Sequence, residues 1–144
     1  MSAISKACEQ ARAEWKPELI IEQIPYAKLL GIETHNMGDE LFFVLPPSKG
    51  NVGNPTLPAL HGGAIGGFLE LAASLHLMMT LPTQVTPRVV DISVDYVRPG
   101  RLEPLYALCT VVRQGRKLVN VSVNCWHKSR DESVATARAH FLVD

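Results

Sequence analysis

LHGGAIGGFLELAASLHLMMTL, residues 60–81, is the longest apolar stretch of the 144-residue chain. Leu, Met and Ala dominate it, and these residues favour helix. At 3.6 residues per turn the stretch makes about six turns. Apolar residues lie all round this helix rather than along one stripe, which is typical of a helix buried on every side. The stretch predicts a central helix with an HGG start at residues 61–63 and one carboxylate, Glu70, near its middle.

A membrane span is the other structure that so long an apolar run allows, because roughly 20 apolar residues cross a bilayer. Against a span, Glu70 and His76 lie inside the run, where charge is costly. The run also lacks the basic flank that orients membrane helices. The sequence therefore favours a buried helix wrapped by a sheet, and no membrane association is expected.

Length and composition limit the classes of protein to which the chain can belong. A chain of this length fits one domain with a real core, and we expect a single domain over residues 1–144 with a helical extension up to about residue 28. The chain has 14 Lys and Arg and 14 Asp and Glu, so its formal net charge is zero. This argues against non-specific electrostatic binding of nucleic acid. The start, MSAISKACEQARAEWK, lacks the apolar core of a signal peptide. Three cysteines without CxxC spacing predict neither a disulfide framework nor a zinc site. A cytoplasmic protein is expected.

Periodicity and turn residues predict the other elements. Residues 4–24 have helical spacing, Pro17 is expected to bend or restart that helix and Pro25 to end it. Residues 26–30 are expected to form a turn before Gly31, a helix C-terminal glycine. Pro82 is expected to close the central helix. Strands are predicted over residues 32–36, 40–45, 88–98, 105–113, 117–127 and 133–143. Because short turns join the last four, each is expected to pair antiparallel with the next. The fold class is α+β, with an antiparallel sheet of about six strands curled round the central helix.

The start of the central helix is a candidate site for a carbonyl oxygen. A helix N-terminus offers unpaired N–H groups and a partial positive charge, and Gly62 and Gly63 have no side chain to block a ligand. An oxyanion held there would be stabilised, often the largest contribution in acyl transfer. The same glycines could instead only permit close packing, and the residues alone favour neither. His61 could donate to a substrate carbonyl or fix the loop before the helix, and the second is slightly favoured.

Glu70 is the candidate base or nucleophile, because a carboxylate in an otherwise apolar helix is unusual. It lies roughly 13 Å along the helix from His61, on another face, so one chain cannot bring both to one substrate. A two-fold dimer could bring Glu70 of one subunit to Gly62 of the other. The alternative is a side chain that points outward or forms an interface salt bridge. Ser74, four residues on, could position a water or a thioester, or bond back to the i−4 carbonyl.

Other functional motifs are weak. The histidines lack metal-ligand spacing, so no metal is expected. No GxSxG elbow, nucleotide fingerprint or P-loop is present. Basic residues cluster at strand ends and turns, and ordinary solvated charge explains most of them. One or two could bind phosphates of a nucleotide. The candidates for substrate binding are Gly63, Arg98, Arg101 and Arg116.

LHGG, the acid nine residues after its His, and then VDYVRPGR, RQGRKLVNVSV and ATARAHFLV form an ordered set. From about Leu29 onwards this set resembles the hotdog-fold acyl-CoA thioesterases. The most similar branch is the phenylacetate-pathway type, which includes the 4-hydroxybenzoyl-CoA thioesterases that use a glutamate. The resemblance implies a homodimer with a shared active site, often paired into a homotetramer. It implies no cofactor, since CoA is part of the substrate.

The resemblance also implies roles for single residues. Glu70 would be the nucleophile or general base, with the hydroxyl of Ser74 in support. The Gly62 N–H of the facing subunit would polarise the thioester carbonyl, assisted by His61. Members usually carry Asn or Gln six residues before the His. Here that position is a proline, and Asn54, one residue earlier, is the candidate.

We therefore expect an acyl-CoA thioesterase that acts on an aromatic or medium-chain acyl group. One alternative is a hotdog protein that binds acyl-CoA without turnover, which the shifted position of Asn54 keeps open. A second is an acyl-thioester hydratase or dehydratase. It is disfavoured because such enzymes need an Asp–His pair on the helix, and the spacing of His61 and Glu70 does not fit.

Overall fold

The computed structural model of the chain describes residues 2–56, 58–81 and 86–144. Its helices are α1 (Ala3–Glu14), α2 (Glu18–Ile21), α3 (Pro25–Leu30) and α4 (Gly62–Thr80), with a short 3-10 turn at Lys49–Asn51. Its strands are β1 (Glu33–Met37), β2 (Glu40–Leu45), β3 (Val52–Asn54), β4 (Ala59–Leu60), β5 (Arg88–Tyr96), β6 (Leu105–Gln114), β7 (Leu118–Trp126) and β8 (Ser133–Leu142). The α+β class predicted from the sequence is confirmed.

α4 is the buried central helix that its composition predicts. It contacts five strands of the main sheet and also α1 and α3, and its side chains from Ile65 to Met79 supply much of the core. By length and composition α4 is the one helix of the described residues that could cross a membrane. The sheet and the N-terminal helices cover it here, as they would cover the core helix of a globular domain. The expected end at Pro82 lies outside the described residues.

The main sheet has six strands in the order β1-β2-β6-β7-β8-β5, and every pair is antiparallel. The prediction that each of the last four strands pairs with the next is wrong for β5 and β6. β5 pairs with β8 at one edge, whereas β6 pairs with β2 in the middle. The segment between them crosses the sheet end beside α4, where the Leu60 N–H donates to the Gly100 carbonyl at 2.7 Å. Chain proximity alone misplaces β5, because α4 displaces it to the far edge.

β5 is an open edge of this sheet, and its apolar side chains are not covered. Ile92 and Val94 are partly buried, but Val90 is 55% and Tyr96 54% exposed. The register of β5 against β8 shifts between Val89 and Asp91, which interrupts the expected alternation. A nine-residue edge strand with exposed apolar side chains is a template for pairing with another strand.

The N-terminal segment forms three short helices, and the second begins directly after Pro17, as predicted. Trp15 adopts the left-handed conformation, with φ of 54°, and ends α1. Pro25 was expected to end a helix, but it occupies the first turn of α3, where the missing N–H of proline costs nothing. The turn predicted over residues 26–30 is therefore wrong. Gly31, with φ of 72°, caps α3 as predicted.

All three cysteines are buried as free thiols, at Cys8, Cys109 and Cys125. Burial raises the pKa of the Cys109 thiol well above its ordinary value of 9.0. Burial also raises the pKa of Cys125 to about 12, although a backbone hydrogen bond at Ala135 offsets part of the effect. These thiols behave as small apolar side chains, because their thiolate forms are poorly solvated inside the fold.

The raised thiol pKa values predict a loss of stability at alkaline pH. In the unfolded chain the thiols ionise near 9.0 and in the folded chain only well above it, so stability is retained below about pH 9 and falls as pH rises toward about 12. Urea unfolding followed by Trp fluorescence at about pH 8 and about pH 10.5 measures this fall. Cys125→Ala should lose less stability than the natural protein between the two conditions. Parallel losses in both proteins would contradict the prediction.

Candidate active site

His61 fixes the junction between the preceding loop and α4. Its backbone N–H donates to the Asn51 carbonyl at 2.6 Å, and its Nδ1 accepts from the Gly63 N–H at 2.9 Å. The side chain is thus the N-cap of α4. Because Nδ1 accepts, the neutral ring carries its proton on Nε2. Gly53 lies against this residue, and a Cβ there would lie 3.0 Å from the His61 Cα. This geometry is that of the structural role considered for His61.

The backbone amide of Gly62 is the free donor at the helix start. The Gly63 N–H is already bonded to His61, whereas no described residue accepts a hydrogen bond from the Gly62 N–H. The Gly62 carbonyl accepts a hydrogen bond from the Tyr96 hydroxyl at 2.6 Å, and this bond holds the Gly62–Gly63 peptide group in place. Gly62 is also exposed. A ligand oxygen can therefore reach its N–H in the direction that the helix dipole favours.

Close packing does not account for the glycine at position 62. A Cβ on Gly62 would lie 3.6 Å from the Tyr96 ring, an ordinary contact. Other glycines of α4 are tighter: a Cβ on Gly63 would lie 3.0 Å from the His61 Nδ1, one on Gly66 3.2 Å from the Tyr96 Oη and one on Gly67 only 2.6 Å from the Tyr26 Oη. Two tyrosines thus pack on the glycine face of α4, and neither is among the site residues predicted from the sequence.

Glu70 and Ser74 lie on one face of α4, and both are partly buried. Within the described residues Glu70 forms no ion pair or hydrogen bond. Ser74 does not bond back to the carbonyl four residues earlier, a bond that Thr80 does make, at 2.8 Å to His76. Neither polar group is therefore engaged by the part of the chain that the structure describes. Because α4 is one continuous helix, Glu70 and Gly62 stay about 12 Å apart within one subunit.

Asn54 lies at the end of β3 and is exposed. Its Oδ1 accepts from the Thr56 N–H at 3.0 Å, which closes a local turn. The short β3–β4 ladder is irregular between Val52 and Asn54. It is Gly53, not Asn54, that contacts His61. Among the described residues no hydrogen bond links Asn54 to Gly62 or Glu70.

The candidate arginines lie at opposite ends of the sheet. Arg101 comes before β6 and Arg116 after it, and ten residues of strand separate their ends by about 30 Å. Arg98 and Arg101 line a cavity of about 270 Å³ that also has Glu103 and Glu132 in its wall. The cavity at Arg116 has a volume of about 420 Å³, and its described wall is more basic than that of the Arg98 cavity. Its lining residues are Arg113, Gly115, Arg116, Lys117, Leu118, Asn120 and His140.

The architecture, six antiparallel strands on one long apolar helix with an anion-accepting start, is that of a hotdog-fold protein. A protein from Chromobacterium violaceum has the same fold, with a TM-score of 0.79 and 38% identity over 96% of this chain and 97% of that one. A Bacillus halodurans protein solved with CoA has a TM-score of 0.72 at 24% identity, covering 96% and 92%.

Sequence comparison assigns the family. Residues 57–134 match the family model of the thioesterase superfamily. The chain is 31% identical to the medium/long-chain acyl-CoA thioesterase YigI of Escherichia coli K12, with 99% of each chain covered. It is 30% identical, with the same coverage, to YigI of Salmonella typhimurium. The chain belongs to the thioesterase superfamily. It is a thioester hydrolase, as the motifs predicted, and the assignment to the phenylacetate-pathway branch stays a prediction.

Tyr96→Phe tests whether the hydroxyl of Tyr96 positions the start of α4. The variant loses one hydrogen bond to the Gly62 carbonyl, so we expect the free energy of unfolding to fall by about 1 kcal/mol. We also expect kcat to fall roughly three- to tenfold with little change in KM, since the amide moves relative to the reacting carbonyl. Tyr106→Phe is the matched control, because that hydroxyl has no hydrogen bond within the described residues. Unchanged kcat in Tyr96→Phe would contradict a positioning role.

Proposed function

We propose that this protein hydrolyses medium- to long-chain aliphatic acyl-CoA to a carboxylate and free CoA. The observation that carries the proposal is the free Gly62 amide at the start of α4, together with a partly buried carboxylate, Glu70, that has no partner in the described part of its own chain. The similarity to the YigI proteins, which are medium/long-chain acyl-CoA thioesterases, supports the chain-length class. We also propose that the whole chain is one thioesterase unit and that it works in the cytoplasm.

The active site is proposed to form between two subunits. β5 offers an open edge, and antiparallel pairing of two β5 strands about Ile92 would place the Arg88 end of one beside the Tyr96 end of the other. The two α4 helices would then run antiparallel. If the two-fold axis passes beside Gly66, Glu70 of one subunit faces Gly62 of its partner, because the two residues are equally far from Gly66. Two such dimers would form a tetramer.

The chemistry assigned to the two groups is addition to the thioester carbonyl. The Gly62 N–H and the dipole of α4 stabilise the oxyanion that forms on the carbonyl oxygen. Glu70 either takes a proton from the attacking water or attacks the carbonyl carbon to give an anhydride that water then cleaves. In both routes the C–S bond breaks and CoA leaves as a thiolate, a good leaving group near neutral pH. Ser74, on the face of Glu70, is proposed to hold the water, and His61 and Asn54 to hold the loop.

The phosphates of CoA are assigned to the basic cavity at the β6–β7 turn. Arg116 lies there beside Arg113 and Lys117, and no carboxylate is among its described lining residues. The proposed β5 pairing brings this turn to the end of the dimer at which the partner's α4 begins. Arg98 and Arg101 are the second candidates, but Glu103 and Glu132 beside them weaken an anion site. Gly63 would line the substrate through its backbone.

Glu70→Gln tests the assigned base or nucleophile. We expect kcat for acyl-CoA hydrolysis to fall by about 10²–10⁴, because the amide can neither accept the proton nor attack. Thiol release from a panel of aliphatic and aromatic acyl-CoAs measures it, and binding of a non-hydrolysable S-alkyl-CoA checks that the site is intact. Glu33→Gln is the control, because it replaces an exposed carboxylate on β1 with the same amide. Full turnover by Glu70→Gln would overturn the mechanism, and absence of turnover by the natural protein on every acyl-CoA would overturn the function.

Gly62→Pro deletes the proposed oxyanion donor with little disturbance of the helix. Gly62 is the first residue of α4, where proline is favoured. His61 before it is extended, with ψ of 131°, as a residue before proline must be. We expect a loss of about 10²–10³ in kcat. Gly62→Ala keeps the N–H and adds a Cβ that fits, so it should retain far more activity.

Mixing the two inactive proteins tests whether the site is shared. In a dimer of one Glu70→Gln subunit and one Gly62→Pro subunit, one of the two sites has both natural groups. Random mixing makes half the dimers mixed, so recovery of about one quarter of natural activity is expected after co-refolding. A site built within one subunit recovers nothing. This outcome would refute the shared site and leave the thioesterase assignment standing.

A further inference from the structure

A cavity of about 550 Å³ lies beside the start of α4. Its walls come from α3, from the segment 48–52 and from the first turn of α4 at His61, Gly63 and Ala64. The volume is within the range of about 300–1,000 Å³ that is usual for small-molecule sites. No Asp, Glu, Lys or Arg is among the described residues that line it. An uncharged ligand group is therefore favoured over a phosphate or carboxylate.

α3 turns two large apolar side chains into this cavity rather than into the core. Ala27 and Leu30 are buried and anchor the helix, with exposures of 0% and 5%. Tyr26 and Leu29, three residues apart on one face, line the cavity and are 44% and 79% exposed. Covering such side chains with an apolar group lowers the free energy, because it removes apolar surface from water. Their place in a cavity wall indicates that this group is a ligand.

The Tyr26 ring also bounds the cavity along α4. Its hydroxyl would lie 2.6 Å from a Cβ on Gly67, so the ring rests directly on the helix backbone at that glycine. The cavity consequently runs from the first turn of α4 outward along α3 to Leu29. Its inner end is the first turn of α4, where Gly63 and Ala64 form the wall. Gly62 precedes them in the chain and itself lines a neighbouring cavity of about 300 Å³ with Tyr96.

We propose that this cavity holds the acyl chain of the substrate and that Tyr26 and Leu29 determine the preferred chain length. The inference rests on the proposed function, because a thioester carbonyl at the Gly62 amide places the first carbons of the acyl group beside Gly63 and Ala64. The charged CoA portion extends away from this uncharged wall. The substrate class is an acyl chain without a terminal charge, whose far methylenes contact Leu29. Tyr26 and Leu29 are specificity residues and take no part in the chemistry.

Two substitutions change the cavity in different ways. Leu29→Gln puts a polar group of similar length at the outer end, where the residue is too exposed to affect folding strongly. Ala64→Leu fills the inner end with a side chain that favours helix. Met37→Gln is the matched control for Leu29→Gln, because Met37 is also an exposed apolar residue, at 67%, but lies at the β1–β2 turn.

The readout is the dependence on chain length, measured in two ways. The affinity for S-alkyl-CoA thioethers of increasing length reports binding without turnover, and kcat/KM for the matching acyl-CoAs reports catalysis. In the natural protein each added methylene should improve both roughly fourfold until the cavity is full. Leu29→Gln should lose roughly tenfold on long chains and little on short ones, and Ala64→Leu should shift the optimum to shorter chains. Met37→Gln should match the natural protein.

Several outcomes would overturn the inference. One is that both variants keep the chain-length profile of the natural protein. Another is that Leu29→Gln weakens all chain lengths equally and changes the oligomeric state on size-exclusion chromatography, because Leu29 would then be an interface residue. Failure of the proposed function is distinguishable. In that case no acyl-CoA is hydrolysed, while the thioether affinities still rise with length and still respond to Leu29→Gln.

Discussion

The hydrogen bonds at the start of α4 are the constraint on which the site depends. α4 is too apolar to be left in water, so the sheet and the N-terminal helices close round it and fix its direction. Its first turn must remain at the surface if its unpaired amides are to meet a ligand. His61 and Tyr96 hold that turn from opposite sides, one through the Gly63 N–H and the other through the Gly62 carbonyl. The Gly62 amide has no acceptor among the described residues, and these two hydrogen bonds hold the turn that carries it.

The same helix explains why one subunit is insufficient for the proposed chemistry. A straight helix keeps Gly62 and Glu70 apart, so the proposed oxyanion donor and the proposed base of one subunit cannot act on the same carbonyl. The molecule presents an open β5 edge and a carboxylate, Glu70, that has no partner among the described residues. A two-fold axis between two subunits would pair the first and supply a partner group to the second. That one symmetry axis would serve both features is the strongest physical support for a shared site.

Local pattern in the sequence predicted much of the fold. The composition of residues 60–81 identifies α4, and the strand patterns locate all six strands of the main sheet to within two residues. Turn length could not place β5 at the far edge, because β5 pairs with β8 and the segment after it runs to β6 in the middle of the sheet. Pro25 misled for a different reason: proline ends one helix and begins another with equal ease. Tyr96 and Tyr26 were missed because their role is to fit glycines distant in sequence, a complementarity that only the fold reveals.

The burial of the cysteines has a consequence for an enzyme whose product is a thiol. Each turnover of an acyl-CoA releases a free sulfhydryl group beside the protein, and oxidised forms of that product would exchange with any accessible thiolate to give a mixed disulfide. Cys8, Cys109 and Cys125 are enclosed, and burial disfavours their ionised, reactive form. The native fold thereby protects the enzyme from covalent modification by its own product.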